Sequence, residues 1–433
     1  MGSLAGSSSA SPLNRVGSLK AYLVCFSCSL FFFYEFIQMH MFNAINEPLR
    51  EAFASNAYQL SFLSSTYLWG DLLFLLPAGI ILDKFSTRRT VIYALLMCII
   101  STLGFAMTSN FWLAAVFHFI TGIGNAFCFL ACVLLVARWF PSNKQAMMIG
   151  LVITVAFLGG MVAQAPLASL ADSLGWRKAL WVDGLLGIII LAQIIFLVED
   201  TPAAYTYNNK KAHHSVWQEL KQVIKNKQTY LAGVYTSLLN LPIMVLCALW
   251  GTEALKTLHG MTSIEASSII SMIFVGSIFG CPLAGLLSDK WGYRRLPMII
   301  GSALSLIVVS TLMIDHQMRF QNLSVIFFLL GFFTGTQVIA YPMVAESNSE
   351  KLTATATALA SILIMGGAGA AQILFGQLLD SHWHGTLVEG HRFYSAADFH
   401  YAMMLFPISF VVALAAALFS QETYCKRSEH LYK

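Results

Sequence analysis

Charged residues are scarce in this chain of 433 residues. Asp, Glu, Lys and Arg together make up 11% of the sequence, whereas soluble domains hold roughly a quarter. Apolar residues reach 57%, and the mean hydropathy is +0.70. This composition excludes a water-soluble globule and indicates a polytopic membrane protein.

The sequence also lacks the short motifs of several function classes. It has no Gly-x-x-x-x-Gly-Lys-Ser/Thr loop, so ATP is not the expected energy source. It has no His-Glu-x-x-His and no Gly-x-Ser-x-Gly, so we expect neither an enzyme nor a cofactor. The net charge of +4 is attributed to membrane topology, and no nucleic-acid partner is expected.

Long apolar runs are abundant. A helix needs about 20 apolar residues to cross a hydrocarbon core about 30 Å thick. That length predicts twelve spans, numbered 1 to 12, near residues 21–45, 57–82, 91–108, 112–136, 145–171, 179–198, 229–254, 265–287, 296–314, 322–345, 353–379 and 398–420. The predicted fold is therefore all-α and membrane-embedded.

The spans predict a simple domain order. Residues 21–198 would form one six-helix bundle and residues 229–420 a second, with a cytoplasmic linker at 199–228. Residues 1–20 are rich in Ser and Gly and predict a disordered tail, and residues 421–433 predict a second tail. Most of the 25 Lys and Arg residues fall on one side, which places both termini in the cytoplasm by the positive-inside rule.

One loop sequence occurs twice. A Gly is followed by Asp four, Lys five and two Arg nine and ten positions later, each time at the end of an apolar run. The first copy is Gly79, Asp83, Lys84, Arg88 and Arg89, and the second is Gly285, Asp289, Lys290, Arg294 and Arg295. The repeat indicates two similar halves.

Twelve spans with this paired loop resemble the major facilitator superfamily over about residues 18–422. The resemblance implies two pseudo-symmetric six-helix bundles, alternating access around a central site, and a monomer. In that family the Gly permits close helix contact and the loop charges hold the cytoplasmic side closed, so the ten residues above would be gate residues. The alternative is that they are ordinary loop charges on the inside.

Span 4 departs from the family pattern. His118 stands where an Arg precedes Gly-Ile-Gly, and it shares a weakly polar stripe with Asn125. A histidine titrates near neutrality, so His118 could exchange the coupled proton. The alternative is a histidine hydrogen-bonded between helices.

Ionisable residues inside spans are costly and mark function. Glu35 lies near the middle of span 1 with Tyr34 and Gln38 beside it, and Asp71 lies near the middle of span 2. Spans 1, 4, 7 and 10 line the central cavity in this family, so Glu35 is expected to carry the proton or to hold a positive group of the solute. The alternatives are a structural hydrogen bond for Glu35 and a brace against span 11 for Asp71.

The second half offers amides and hydroxyls. Asn240 on span 7 and Gln337 and Tyr341 on span 10 are predicted to orient a polar solute. Such groups also join helices to one another, which is the alternative.

The chain has no Lys or Arg at mid-span to neutralise a phosphate or a dicarboxylate. We therefore expect proton-driven transport of a neutral, zwitterionic or cationic solute such as an amino acid, short peptide or amine, in a bacterial inner membrane. Two alternatives stay open: an organic monoanion, including a siderophore-like carboxylate, and a membrane sensor that does not transport.

The outer segment before span 12 is rich in acidic residues and histidines, namely Asp380, His382, His384, Glu389, His391, Asp398 and His400. These residue types bind metal ions or sense pH. A solvated loop is the favoured interpretation, and no metal site is expected.

Overall fold

The computed structural model describes residues 19–201, 223–314, 318–348, 352–388 and 391–426. Within these ranges twelve helices are long and apolar enough to cross a membrane, as predicted. Spans 1 to 6 are Leu19–Ala44, Ala57–Leu82, Thr87–Met107, Phe111–Trp139, Met147–Leu174 and Trp176–Leu197. Spans 7 to 12 are Lys227–His259, Ser263–Trp291, Arg295–Ile314, Phe320–Glu346, Thr355–His382 and Ala396–Phe419.

Short elements connect the spans. A helix, Asn46–Ala52, follows span 1, and a two-stranded hairpin pairs Leu387–Val388 with His391–Arg392 between spans 11 and 12. The predicted tail at 1–20 and the predicted linker at 199–228 lie largely outside the described residues.

Three spans are interrupted along their length. Span 5 breaks between helices Ser142–Val162 and Ala165–Leu174. Span 7 changes from an α-helix, Lys227–Leu239, to a π-helix, Pro242–Trp250, and then to the α-helix Gly251–His259. Span 10 contains a 3₁₀ turn, Gly335–Ile339, between Phe320–Thr334 and Ala340–Glu346. Such breaks free backbone carbonyls for other partners, as where Gln164 of span 5 donates to the Cys247 oxygen at 2.9 Å.

The same close helix crossing occurs in both halves. A Cβ atom placed on Gly122 of span 4 would lie 2.0 Å from the Tyr67 oxygen of span 2. In the second half, a Cβ on Gly331 of span 10 would lie 2.0 Å from the Ile273 oxygen of span 8. Only glycine allows backbones to approach this closely, so these crossings hold spans 2 with 4 and 8 with 10.

An acidic residue caps the first helical turn of spans 3 and 9. Asp200, just after span 6, accepts hydrogen bonds from the Arg88 amide at 2.8 Å and the Ser86 hydroxyl at 2.5 Å. Glu422, just after span 12, accepts from the amides of Arg294 at 2.7 Å and Arg295 at 2.9 Å. A carboxylate at a helix N-terminus accepts hydrogen bonds from the free amides and interacts favourably with the helix dipole. Each half therefore has the same kind of N-terminal cap on the corresponding span.

The hydrogen bonds that join the two halves cluster at the end of the molecule that holds the loop between spans 1 and 2. Asn43 donates to the Thr252 hydroxyl at 2.9 Å and accepts from the Thr252 amide at 2.8 Å. Trp250 donates to the Ser61 hydroxyl at 2.9 Å, and the Ala57 amide donates to the Tyr394 hydroxyl at 2.9 Å. We call this the closed end, comprising residues 43–61, 247–256, 380–388 and 391–394.

Candidate functional site

Glu35 is buried inside the N-terminal half. Its Oε2 atom accepts a hydrogen bond from the Tyr67 hydroxyl at 2.9 Å, and the same hydroxyl lies 3.1 Å from the Glu35 backbone oxygen. Its Oε1 atom is buried without a well-formed hydrogen bond among the described residues, beside the Cys98 thiol. The carboxyl therefore faces spans 2 and 3 and not the second half, because its polar partners lie within its own bundle.

Gln38, one turn after Glu35, connects two further spans. Its amide nitrogen donates to Asp183 of span 6, and its amide oxygen accepts from the Thr102 hydroxyl of span 3 at 2.9 Å. The Tyr34 hydroxyl lies 3.4 Å from Thr102. A continuous polar chain thus runs from Asp183 through Gln38 and Thr102 to Tyr34.

Asp71 of span 2 is a third buried acid in this half, 3% exposed, with Asn125 of span 4 beside it. Asp71 and Asp183 are buried in the same half as Glu35. Among the described residues no Lys or Arg pairs with any of the three.

A buried carboxylate without a cation is costly, whereas a protonated carboxyl needs only hydrogen bonds. This group of three, Glu35, Asp71 and Asp183, is called the acid cluster below. Its chemistry suits reversible proton binding.

His118 is held by aromatic rings. It stacks on Phe42 with centroids 4.5 Å apart, and Tyr67 and Phe105 lie at 5.4 and 5.9 Å. It is 2% exposed and sits between spans 1, 2, 3 and 4. The structure therefore brings His118 to the same bundle interior as Glu35, through their common neighbour Tyr67.

Sequence reasoning missed two polar side chains of the interior. Asp183 lies inside predicted span 6, so the search that found Glu35 and Asp71 could have found it. His40, on span 1 one turn after Phe36, is fully buried; its Nδ1 atom lies 2.8 Å from the Phe36 oxygen, and its Nε2 atom has no partner among the described residues. Its ring packs against Phe274 of span 8 at 5.0 Å, so it lies at the contact between the halves.

The predicted residues of the second half lie on spans 7 and 10. Asn240 directly follows the first helix of span 7, two residues before the π-helix, and is 8% exposed. Thr236 of span 7 donates to the Gln337 backbone oxygen at 3.0 Å, while Tyr341 is 37% exposed. A cavity of about 320 Å³ lies between spans 7 and 11 and is lined by Ser237 and Gly367, with apolar neighbours.

The residues of the repeated loop differ in their contacts. Arg294 donates to Asp289 at 2.6 Å and to Glu346 of span 10 at 2.8 Å, and its side chain is 8% exposed. Arg295 donates to the backbone oxygens of Ala417 and Leu418. Lys290 is exposed. In this copy the charges therefore join span 9 to spans 8, 10 and 12 of the same half.

In the first copy, Arg88 donates to the Ile195 oxygen at 2.6 Å. The Arg89 amide donates to the Ser86 hydroxyl at 3.2 Å, and Lys84 is exposed. The side chain of Asp83 lies outside the described part of the structure.

The two loop glycines do not make the close helix contact that the resemblance implied. A Cβ atom on Gly79 or on Gly285 would meet no described atom within 4 Å. Both glycines face open space in this conformation.

A family model described as Major Facilitator Superfamily matches residues 26–371 and, in a second match, residues 241–429. The membrane sensor protein UhpC of Escherichia coli K12 is 23% identical over 330 residues, 72% of this chain and 75% of UhpC. The probable galactarate/D-glucarate transporter GudP of Bacillus subtilis 168 is 23% identical over 394 residues, 82% of this chain and 85% of GudP. A probable hexose phosphate transport protein of Chlamydia trachomatis serovar D is 23% identical, covering 72% and 75%.

Solved structures share the fold. A bacterial homologue of the human lysosomal transporter Spinster, in an inward-facing and unoccupied conformation, superposes with a TM-score of 0.79 at 16% identity, over 93% of this chain and 97% of that one. A mutant of the nucleoside transporter NupG superposes with a TM-score of 0.73 at 13% identity, over 91% and 99%. The amino acid, peptide and amine classes expected from the sequence find no support among the relatives.

Proposed function

Because the chain belongs to the major facilitator superfamily, we propose that it carries a small organic anion across the membrane and that protons drive this transport. The protein is a multi-pass membrane transporter and not an enzyme, as the sequence predicted. Its named relatives come from bacteria, in line with the predicted bacterial cell membrane.

The acid cluster is the observation that supports proton coupling. Three carboxyl groups from spans 1, 2 and 6 are buried in one half, and no described Lys or Arg pairs with them. Each is most stable there when it holds a proton and a hydrogen bond. Release and rebinding of protons would require that water reach the interior of this bundle in one of the two states of the alternating-access cycle.

The charge of the solute is inferred from the relatives. Their names refer to hexose phosphate and to galactarate and D-glucarate, all of which are anionic. The interior argues for a singly charged anion, because Lys and Arg occur only near span ends and a phosphate or dicarboxylate dianion would lack a fixed cation. We therefore favour a monocarboxylate, the organic monoanion of the alternative hypothesis, over a neutral or cationic solute.

An anionic solute can bind in this half only when the acid cluster is protonated. Ionised carboxylates in a low-dielectric interior repel an incoming anion, and protonation removes that repulsion. One proton with a monoanion moves no net charge, so a pH gradient alone would drive uptake with about 1.4 kcal/mol per pH unit. A second proton would add about 2.3 kcal/mol per 100 mV of membrane potential.

A second candidate is a sensor that binds its solute without transport. One specific observation favours it, the similarity to UhpC, whose name is that of a membrane sensor protein. This candidate predicts saturable binding and no flux.

Uptake into proteoliposomes tests both candidates. The liposomes carry an acidic exterior, and the pool holds D-glucarate, galactarate, a hexose 6-phosphate, monocarboxylates and amino acids, read by mass spectrometry. We expect accumulation of a carboxylate that collapses with a protonophore. Accumulation of amino acids alone would contradict the anion assignment, and binding of a carboxylate without flux would support the sensor.

A further inference from the structure

Two histidines of the closed end meet an aspartate of span 12. His382 ends span 11, His384 follows two residues later, and Asp398 lies in the first turn of span 12. The Nδ1 atoms of His382 and His384 lie 2.8 and 3.5 Å from the same atom, Oδ1 of Asp398. All three ligand atoms lie within 4.8 Å of one another. We propose that these three side chains bind a divalent transition-metal ion of the zinc class.

Two of the three distances between ligand atoms are close to those of such a site. Zinc binds histidine nitrogen at about 2.0–2.1 Å and carboxylate oxygen at about 2.0–2.2 Å, which separates neighbouring ligand atoms of a tetrahedral site by roughly 3.4 Å. The observed 2.8 and 3.5 Å lie on either side of that value. The third distance, between the two histidines, is at most 4.8 Å, so the exposed His384 would turn toward His382 as the ion enters.

The chemistry of the donors is selective. Two imidazoles and one carboxylate form a set that zinc and its neighbours prefer, whereas calcium and magnesium prefer oxygen. Three protein ligands leave one position for water. The His384 side chain is 71% exposed, so an ion would reach the site from the aqueous side. The Asp398 side chain is 2% exposed, so its carboxylate is already held in place when the ion arrives.

Outer contacts already orient the ligands. Asp398 Oδ2 accepts hydrogen bonds from the Ser395 amide at 2.8 Å and the Ser395 hydroxyl at 2.9 Å, which leaves Oδ1 for the histidines. The His382 ring stacks on Tyr401 with centroids 4.8 Å apart and planes at 18°. Because Asp398 and His382 are already oriented, less free energy is needed to assemble the site around an ion.

Nearby charge does not oppose the ion. Arg392, a cation of the same loop, is held by Asp380 at 3.0 Å and stacks over the Trp383 ring at 4.4 Å. Asp380 also accepts from the Tyr58 amide of span 2 at 3.0 Å, a contact between the halves. Because Asp380 lies at the end of span 11, a metal ion that joins spans 11 and 12 would also restrain this contact between the halves.

Metal binding to the full-length protein in detergent tests the site. After treatment with EDTA and desalting, the protein is titrated with Zn²⁺ by calorimetry, and bound zinc is counted by mass spectrometry. We expect one zinc per chain in the wild type and at least a tenfold weaker affinity in His384→Gln and in His382→Gln. His259→Gln, a histidine outside the cluster at the end of span 7, serves as the control and should bind as the wild type does.

Cobalt distinguishes this site from the eight cysteines. Co²⁺ bound by nitrogen and oxygen shows visible d–d bands without the sulfur charge-transfer absorption of thiolate sites. No zinc in the wild type, equal binding in the His384→Gln and His382→Gln variants, or a thiolate spectrum would each overturn the proposal. His384→Gln is the decisive variant, because the exposed side chain can be replaced without disturbing the fold.

Discussion

The Tyr67 hydroxyl donates to the Glu35 carboxyl group at 2.9 Å. The backbone oxygen of the same Tyr67 packs against Gly122 of span 4, where an added Cβ would lie 2.0 Å away. Span 2 is therefore fixed to the proposed proton site on one side and to span 4 on the other. A change of charge at Glu35 acts on a helix that has little freedom to move within its own half.

The Gly122 crossing gives a prediction about stability. Gly122→Ala should destabilise the protein by about 1–3 kcal/mol, because the new methyl group overlaps the Tyr67 carbonyl and backbone must shift. Thermal unfolding in detergent measures the loss. Gly79→Ala is the matched control, since its methyl group meets no described atom within 4 Å and should leave the midpoint unchanged or slightly higher. Equal midpoints for both variants would contradict the crossing.

The closed end gives a prediction about conformation. Asn43→Ala removes two hydrogen bonds to Thr252 of the other half, each worth about 1 kcal/mol, so the equilibrium should move toward opening this end by roughly tenfold or more. Cys247 is buried at this end, and its maleimide labelling, read by peptide mass spectrometry, should speed up by a similar factor.

Asn110→Ala is the control for that experiment. Asn110 accepts a hydrogen bond from the Leu113 amide, within its own half. Its loss should leave the labelling rate of Cys247 unchanged. The same acceleration in both variants would show that labelling reports general loosening and not separation of the halves.

The second copy of the repeated loop depends on Arg294. Arg294→Gln leaves Glu346, whose side chain is 14% exposed, without its cation and should cost about 1–3 kcal/mol. Lys290→Gln, at an exposed position of the same motif, should cost less than about 0.5 kcal/mol. Denaturation of both variants beside the wild type checks the difference. A similar cost at Lys290 would mean that the loop acts through its net charge.

The sequence predicted the number, order and approximate bounds of the spans, because apolar length alone defines them. It did not predict the π-helix of span 7 or the break in span 5, which depend on side chains such as Gln164 that reach carbonyls of another helix. The motif residues Gly79 and Gly285 were expected in close contacts, yet the close contacts lie at Gly122 and Gly331. A motif gives residue types at a spacing but not the neighbour that each residue meets.

The candidate site was predicted in part. Glu35, Asp71 and His118 could be singled out because polar groups inside spans are costly, and the fold places them in one half. The sequence could not show which way these side chains point. The family resemblance placed Glu35 toward the central cavity, whereas in the structure its carboxyl group lies beside Tyr67 and Cys98, inside its own bundle. The link from Gln38 to Asp183 needs spans 1 and 6 side by side, which only the folded chain reveals.

The most direct test of the account is proton-driven uptake by the Glu35→Gln variant in proteoliposomes, with the carboxylate identified in the mixed-pool screen. Glutamine keeps the shape and the hydrogen bond to Tyr67 but cannot exchange a proton. The account predicts that Glu35→Gln loses uphill accumulation while solute exchange continues, and that Glu51→Gln, an exposed acid of the same half, accumulates as the wild type does. Accumulation by Glu35→Gln at the wild-type level would contradict the claim that Glu35 carries the coupled proton.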